Sequence, residues 1–156
     1  MSHPINKLKS IVNFYSLEKK DNIDLSVCNI VRKLYKENKN VMIMDNDDNL
    51  TKFDKLLWSF EQNTFLPHKI LFEDDVMDTP IILVSCQNIN KLELYKNYSE
   101  IINNCEIPLI EHKIFTSIHE FVSNNENDKI VSRSKYTQYK NNNFNVSHRK
   151  YNEQTI

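Results

Sequence analysis

The residue types able to do chemistry fall in a few short stretches. Asp45, Asp47 and Asn49 form a D-x-D-x-N string directly after an apolar run. It opens like a calcium loop, yet Leu50 stands where glycine is needed and Leu56 where a bidentate carboxylate is needed. Carboxylates after a strand would instead hold Mg²⁺ at the carboxyl edge of a parallel sheet, which makes a metal-dependent α/β hydrolase using Asp45 and Asp47 the alternative function. Asp47 and Asp48 are more simply read as capping the next helix. His112 and His119 are seven apart beside Glu111 and Glu120, too far for the i, i+4 pair of a zinc-protease helix, and HExxH is absent. They read as structural histidines. The chain has no glycine, so it lacks the G-x-S-x-G elbow and the standard glycine-rich phosphate loops.

Two constellations mix aromatic and basic residues. In Leu57-Trp58-Ser59-Phe60 and Thr64-Phe65-Leu66-Pro67-His68, the sole Trp stands at a helix end and Phe65 in the loop after it. Trp58 and Phe65 either anchor a partner, since aromatic rings bury much area at low entropy cost, or cap the core. Further on, Lys129, Arg133, Tyr136 and Lys140 follow steps of four, three and four, which stack them on one helix face, with Val122 at the end of the preceding element. Such a stripe is either a solvated face or a grip for an acidic peptide ending in a hydrophobic residue. In the second case the guanidinium holds a carboxylate and an apolar dimple takes the side chain.

These groups need elements to position them, and the hydrophobic pattern supplies them. Ile11 to Leu17 reads as a first strand, and Leu25, Cys28, Val31, Leu34 and Tyr35 as a helix face with Asp24 as its cap. Val41 to Met44 is a continuous apolar run, the mark of a strand buried on both faces in a parallel sheet. Leu50, Phe53, Leu56, Leu57 and Phe60 predict a second helix, Ile81 to Val84 a third strand, and Ile101 and Ile102 a fourth. Residues 88–98 are ambiguous. Ile110, Ile114, Phe115, Ile118 and Val122 predict a third helix with Pro108 near its start, and Asp128 to Lys140 a last one. From Asn141 the chain is polar. Alternating strands and helices argue an α/β layered domain.

Length and composition bound the rest. The 156 residues fit one domain. We place a flexible N-terminus at 1–10, the domain at 11–145 and a polar tail at 146–156. With 22 Asn, 17 Ile and 17 Lys against 3 Arg, the chain carries the bias of AT-rich codons, a matter of genome drift rather than chemistry. A formal charge of -1 gives no overall field for a polyanion, so contact with DNA is mainly indirect. Cys28, Cys86 and Cys105 are widely spaced without a CxxC pair, which suits buried free thiols in a reducing compartment. No apolar run is long enough for a bilayer and the first ten residues lack a signal-peptide stretch, so a cytoplasmic protein without membrane association is expected.

The order of motifs resembles the chi subunit of bacterial DNA polymerase III. The residues that carry the resemblance are FYSL at 14–17, VMIMDNDD at 41–48, FDKLLWSF with the later FLPH through 68, PIILVS at 80–85, EFV at 120–122 and RSKYTQYKNNNFN at 133–145. The resemblance implies a three-layer, Rossmann-like α/β/α fold with a mainly parallel central sheet and without the nucleotide fingerprint, no intrinsic enzyme activity, no cofactor and an adaptor role at the clamp loader. It further implies that Val122, Lys129, Arg133 and Tyr136 bind the acidic, Phe-ending C-terminal tail of the single-stranded-DNA-binding protein. Trp58 and Phe65 would bind the psi subunit or, on an overlapping surface, a repair helicase. Two positions depart from the family pattern: Thr137 replaces a basic residue after the tyrosine, for which Lys135 or Lys140 would compensate, and Asn143 replaces a glycine before FN.

Overall fold

The computed structural model describes residues 10–60, 65–72, 75–111 and 114–154. Strand β1 (Ile11–Ser16) leads into helix α1 (Ile23–Lys36), then β2 (Val41–Asp45), α2 (Asp47–Ser59), β3 (His68–Ile70) and β4 (Ile81–Ser85). A 3-10 segment (Cys86–Tyr95) follows, kinked at Asn88 and Lys91, and then β5 (Glu100–Asn103), β6 (Ser117–Val122), α3 (Glu126–Asn141) and β7 (Asn145–Lys150). The seven strands form one sheet in the order β3-β4-β2-β5-β6-β1-β7, and every paired neighbour is parallel.

Parallel strands need crossovers, and the crossovers cover both faces. Ile43, Leu83 and Ile102 turn to one face and meet Val27, Ile30 and Val31 of α1 and Phe53 and Leu57 of α2. Their neighbours Met42, Met44, Val84 and Ile101 turn to the other and pack with Tyr95, Phe115 and Tyr139. The result is the three-layer α/β/α domain expected. Among the described residues no helix is long and apolar enough to cross a membrane.

Helix starts are set by asparagine rather than aspartate. Asn22, not Asp24, caps α1 by accepting from Leu25 N at 3.1 Å, and Asn46 caps α2 by accepting from Asn49 N at 2.9 Å. Asp47 and Asp48 sit instead in the first turn of α2, where their charge opposes the helix dipole. At the far end of α3, Asn143 has φ 65°, the left-handed conformation that ends a helix and that asparagine adopts more readily than other non-glycine residues.

Four expectations need correction. The stretch around Ile110 to Val122 is not a helix: its C-terminal half is β6, and the four-residue spacing of Ile110, Ile114, Ile118 and Val122 imitates a helical face. Residues 145–150, read as the end of the domain and the start of a polar tail, are strand β7, tied to β1 along six register pairs. The short edge strand β3 lies in what read as loop. Cys86 and Cys105 are joined in a disulfide with Cα atoms 5.9 Å apart, because they follow β4 and β5, whose carboxyl ends flank that of β2. Cys28 alone is a free buried thiol, and burial with Asp24 nearby pushes it up to about 12. The expected flexible N-terminus lies outside the described residues except for Ser10, which is buried and donates to Phe115 O at 2.7 Å.

Candidate partner-binding site

The carboxyl ends of β1, β6 and β7 meet the flank of α3 around a hollow of about 470 Å³. Strand β1 contributes Phe14 and Ser16, with Leu17 directly after it, β6 contributes Val122, and α3 contributes Lys129, Arg133, Tyr136 and Thr137. The four residues singled out in the sequence therefore share one cavity. Val122 reaches it from a strand end rather than a helix end, which leaves its position beside α3 unchanged. Phe14, Leu17 and His148 were missed. Phe14 and Leu17 had read as core strand residues, and though buried they also form the floor of the hollow.

Each side chain has a physical reason for its place. The Tyr136 ring packs on Phe14 with centroids 5.5 Å apart, and Lys140 Nζ lies 5.8 Å from its centroid in a cation-π contact. Lys129 pairs with Glu126 at 3.5 Å within the first turn of α3. Arg133 is exposed and, among the described residues, has no carboxylate within ion-pair distance. Among the described residues, none that lines the hollow is Asp or Glu. An apolar floor beside the unpaired charge of Arg133 is suited to an anionic chain bearing an apolar side chain.

Lys135 does not join this wall. It points to the opposite side of α3, is 6 % exposed, and donates to Glu120 Oε1 at 2.8 Å and to Cys105 O. Glu120 also accepts from Tyr139 Oη at 2.6 Å and from Asn103 Nδ2 at 2.9 Å. Burial pushes the Glu120 carboxyl above the usual carboxylate range, with Lys135 foremost among the groups pulling it back.

Trp58 and Phe65 lie elsewhere, at the end of α2 and before β3. Their ring centroids are 5.3 Å apart and they are 52 % and 65 % exposed, so the core beneath them is closed by Leu57 and Leu66 instead. Trp58 also rests on His68 at 4.2 Å. His68 is fixed from beneath by Leu66 O at 2.7 Å and Asp54 O at 3.0 Å.

The carboxylate alternative finds little geometry. Asp45 is buried at the end of β2 and accepts from Asn46 N, Asn49 Nδ2 and Asn104 Nδ2 at 2.7–3.1 Å. Burial raises its carboxyl above the usual range, partly offset by those bonds. Asp47 is exposed on α2, and no group of three His, Cys, Asp or Glu among the described residues is placed to hold a metal. His112 lies outside the described residues, and His119 is buried in β6.

The family model described as DNA polymerase III chi subunit, HolC, matches residues 10–147. The chain belongs to the DNA polymerase III chi subunit family. It is also similar to the DNA polymerase III subunit chi of Haemophilus influenzae, with 28 % identity over 123 residues, covering 77 % of this chain and 81 % of the relative. Chi membership places the protein in DNA replication as a component of DNA polymerase III. The match runs through β1, β6 and α3, so the whole cavity apart from His148 lies in the matched region.

Proposed function

We propose that this chi-family protein is a non-catalytic replication adaptor that holds the acidic C-terminal tail of the single-stranded-DNA-binding protein in the hollow between α3 and the carboxyl ends of β1, β6 and β7. The observation that carries the reading is the gathering of Lys129, Arg133, Tyr136 and Val122 around one cavity without a carboxylate. Arg133 grips a tail carboxylate, Lys129 adds charge, and Phe14, Leu17, Val122 and Tyr136 receive the terminal phenylalanine. The pairing is electrostatic at the rim and so weakens with salt.

Trp58 and Phe65, the exposed aromatic pair, dock a psi-like clamp-loader component, or a repair helicase on the same face. The two faces lie on different elements, which lets one chain join a coated template to the polymerase machinery. DNA contact is then indirect, as the near-zero net charge favours.

The test is a fluorescence-anisotropy titration with an acidic peptide ending in Phe. Arg133→Ala weakens binding about tenfold or more, the loss of one charge-assisted contact worth about 1.4 kcal/mol or more. Replacing the terminal Phe with Ser weakens it comparably. Unchanged affinity in either case removes the reading.

A further inference from the structure

One residue lining the hollow, His148 of β7, lies beyond the matched region. Strand β7 is one edge of the sheet, paired among the described residues with β1 alone, and its register sets His148 opposite Phe14 and Lys150 opposite Ser16. Side chains alternate along a strand, and Val146 is buried with the core on the α3 side. His148 and Lys150, two and four residues on, therefore face the same side as the hollow, while Arg149 turns to the opposite face and stacks its guanidinium 5.3 Å over Tyr15. His148 lines the hollow directly, its Nε2 engaged by the Ser16 hydroxyl. Both His148 and Lys150 are exposed.

On the α3 wall Lys129 is paired with Glu126, which leaves Arg133 as the cation without an ion pair among the described residues. Thr137 lines the same hollow with a neutral side chain whose hydroxyl donates to Arg133 O at 3.1 Å, and Lys135 is committed to Glu120. A single carboxylate would need only Arg133. Cations on two separate elements, either side of an apolar floor, fit an extended ligand with several spaced negative charges.

We infer that β7 is the second wall of this site: His148 and Lys150 hold carboxylates of an acidic peptide upstream of its apolar terminal residue, facing Lys129 and Arg133 across the hollow. This inference rests on the acidic-tail reading proposed above and adds to it the residues that read the tail's upstream charges.

The experiment uses two labelled peptides, both ending in Phe, one with acidic and one with neutral residues upstream. They are titrated against wild type, Arg133→Ala, His148→Lys and the double variant His148→Glu with Lys150→Glu. The double variant loses affinity for the acidic peptide by about tenfold or more and binds the neutral one within about twofold of wild type. His148→Lys retains acidic-peptide binding, and Arg133→Ala weakens both peptides. If Arg133→Ala weakens binding while the double variant takes the acidic peptide like wild type, β7 is not part of the site and the parent reading survives. Equal loss for both peptides in the double variant also overturns the charge-reading role. If Arg133→Ala changes neither peptide, the parent reading falls and this inference with it.

Discussion

Lys135 Nζ lies 2.8 Å from Glu120 Oε1, joining α3 to β6 through a pair in which both side chains are less than a tenth exposed. The pair reaches further, since Tyr139 and Asn103 converge on the same carboxylate and Lys135 also holds Cys105 O. This cluster fixes the rotation of α3 on the sheet. One face of the helix is thereby locked inward, and Lys129, Arg133 and Tyr136 are left on the other.

Removing one member of such a pair leaves an uncompensated buried charge. Lys135→Met is therefore expected to cost about 3–5 kcal/mol, whereas Arg133→Ala, which has no buried partner, stays within about 0.5 kcal/mol. Urea unfolding of the two variants checks the contrast. A Lys135 variant as stable as wild type would contradict the assigned role of the cluster.

Glu100 gives a pH prediction. Burial pushes its carboxyl up, but bonds from His119 at 3.2 Å and Lys39 at 3.2 Å more than offset that and leave it below the ordinary carboxylate range. A group lowered on folding contributes stability above its unfolded pKa and loses it as pH falls through the folded one. The stability gap between wild type and Glu100→Gln is accordingly widest near neutrality and closes on acidification below about pH 4. Chemical denaturation across that range measures it, and a gap that widens in acid would have the wrong sign.

Asn143 tests the backbone. At φ 65° it closes α3 before β7 can turn onto the sheet. Asn143→Gly is expected to be neutral within a few tenths of a kcal/mol, and Asn143→Val to cost about 1–2 kcal/mol. Thermal unfolding separates the two outcomes.

Trp58 tests the second face. Its indole, about half exposed beside Phe65, should emit like a solvated tryptophan and be readily quenched by acrylamide. Trp58→Ala should cost about 1 kcal/mol against about 2–5 kcal/mol for Leu57→Ala, its buried neighbour. A blue-shifted, protected emission would return Trp58 to the core.

The parallel core was legible because strands buried on both faces leave continuous runs such as Val41 to Met44, and α1 and α2 because their apolar residues recur at helical steps. Strand β6 was hidden by its own function in the core. His119 and Glu120 interrupt its apolar run, and they are tolerated only because Tyr15, Glu100, Lys135, Tyr139 and Asn103 satisfy them from elements distant in sequence. Strand β7 was hidden because its outward residues are polar, as an edge allows. The α3 stripe could be read from spacing alone. The β1 floor and the Cys86–Cys105 bond could not, since both depend on which strand ends the sheet order brings together.

The most direct test of the adaptor account is an NMR titration of the isotope-labelled chain with an acidic peptide ending in Phe. The account predicts that backbone shifts concentrate at Ser16, Leu17, Val122, Ser123, Arg133 and Tyr136, with Trp58 and Phe65 unmoved. Shifts centred on Trp58 and Phe65, or none at saturating peptide, would contradict it.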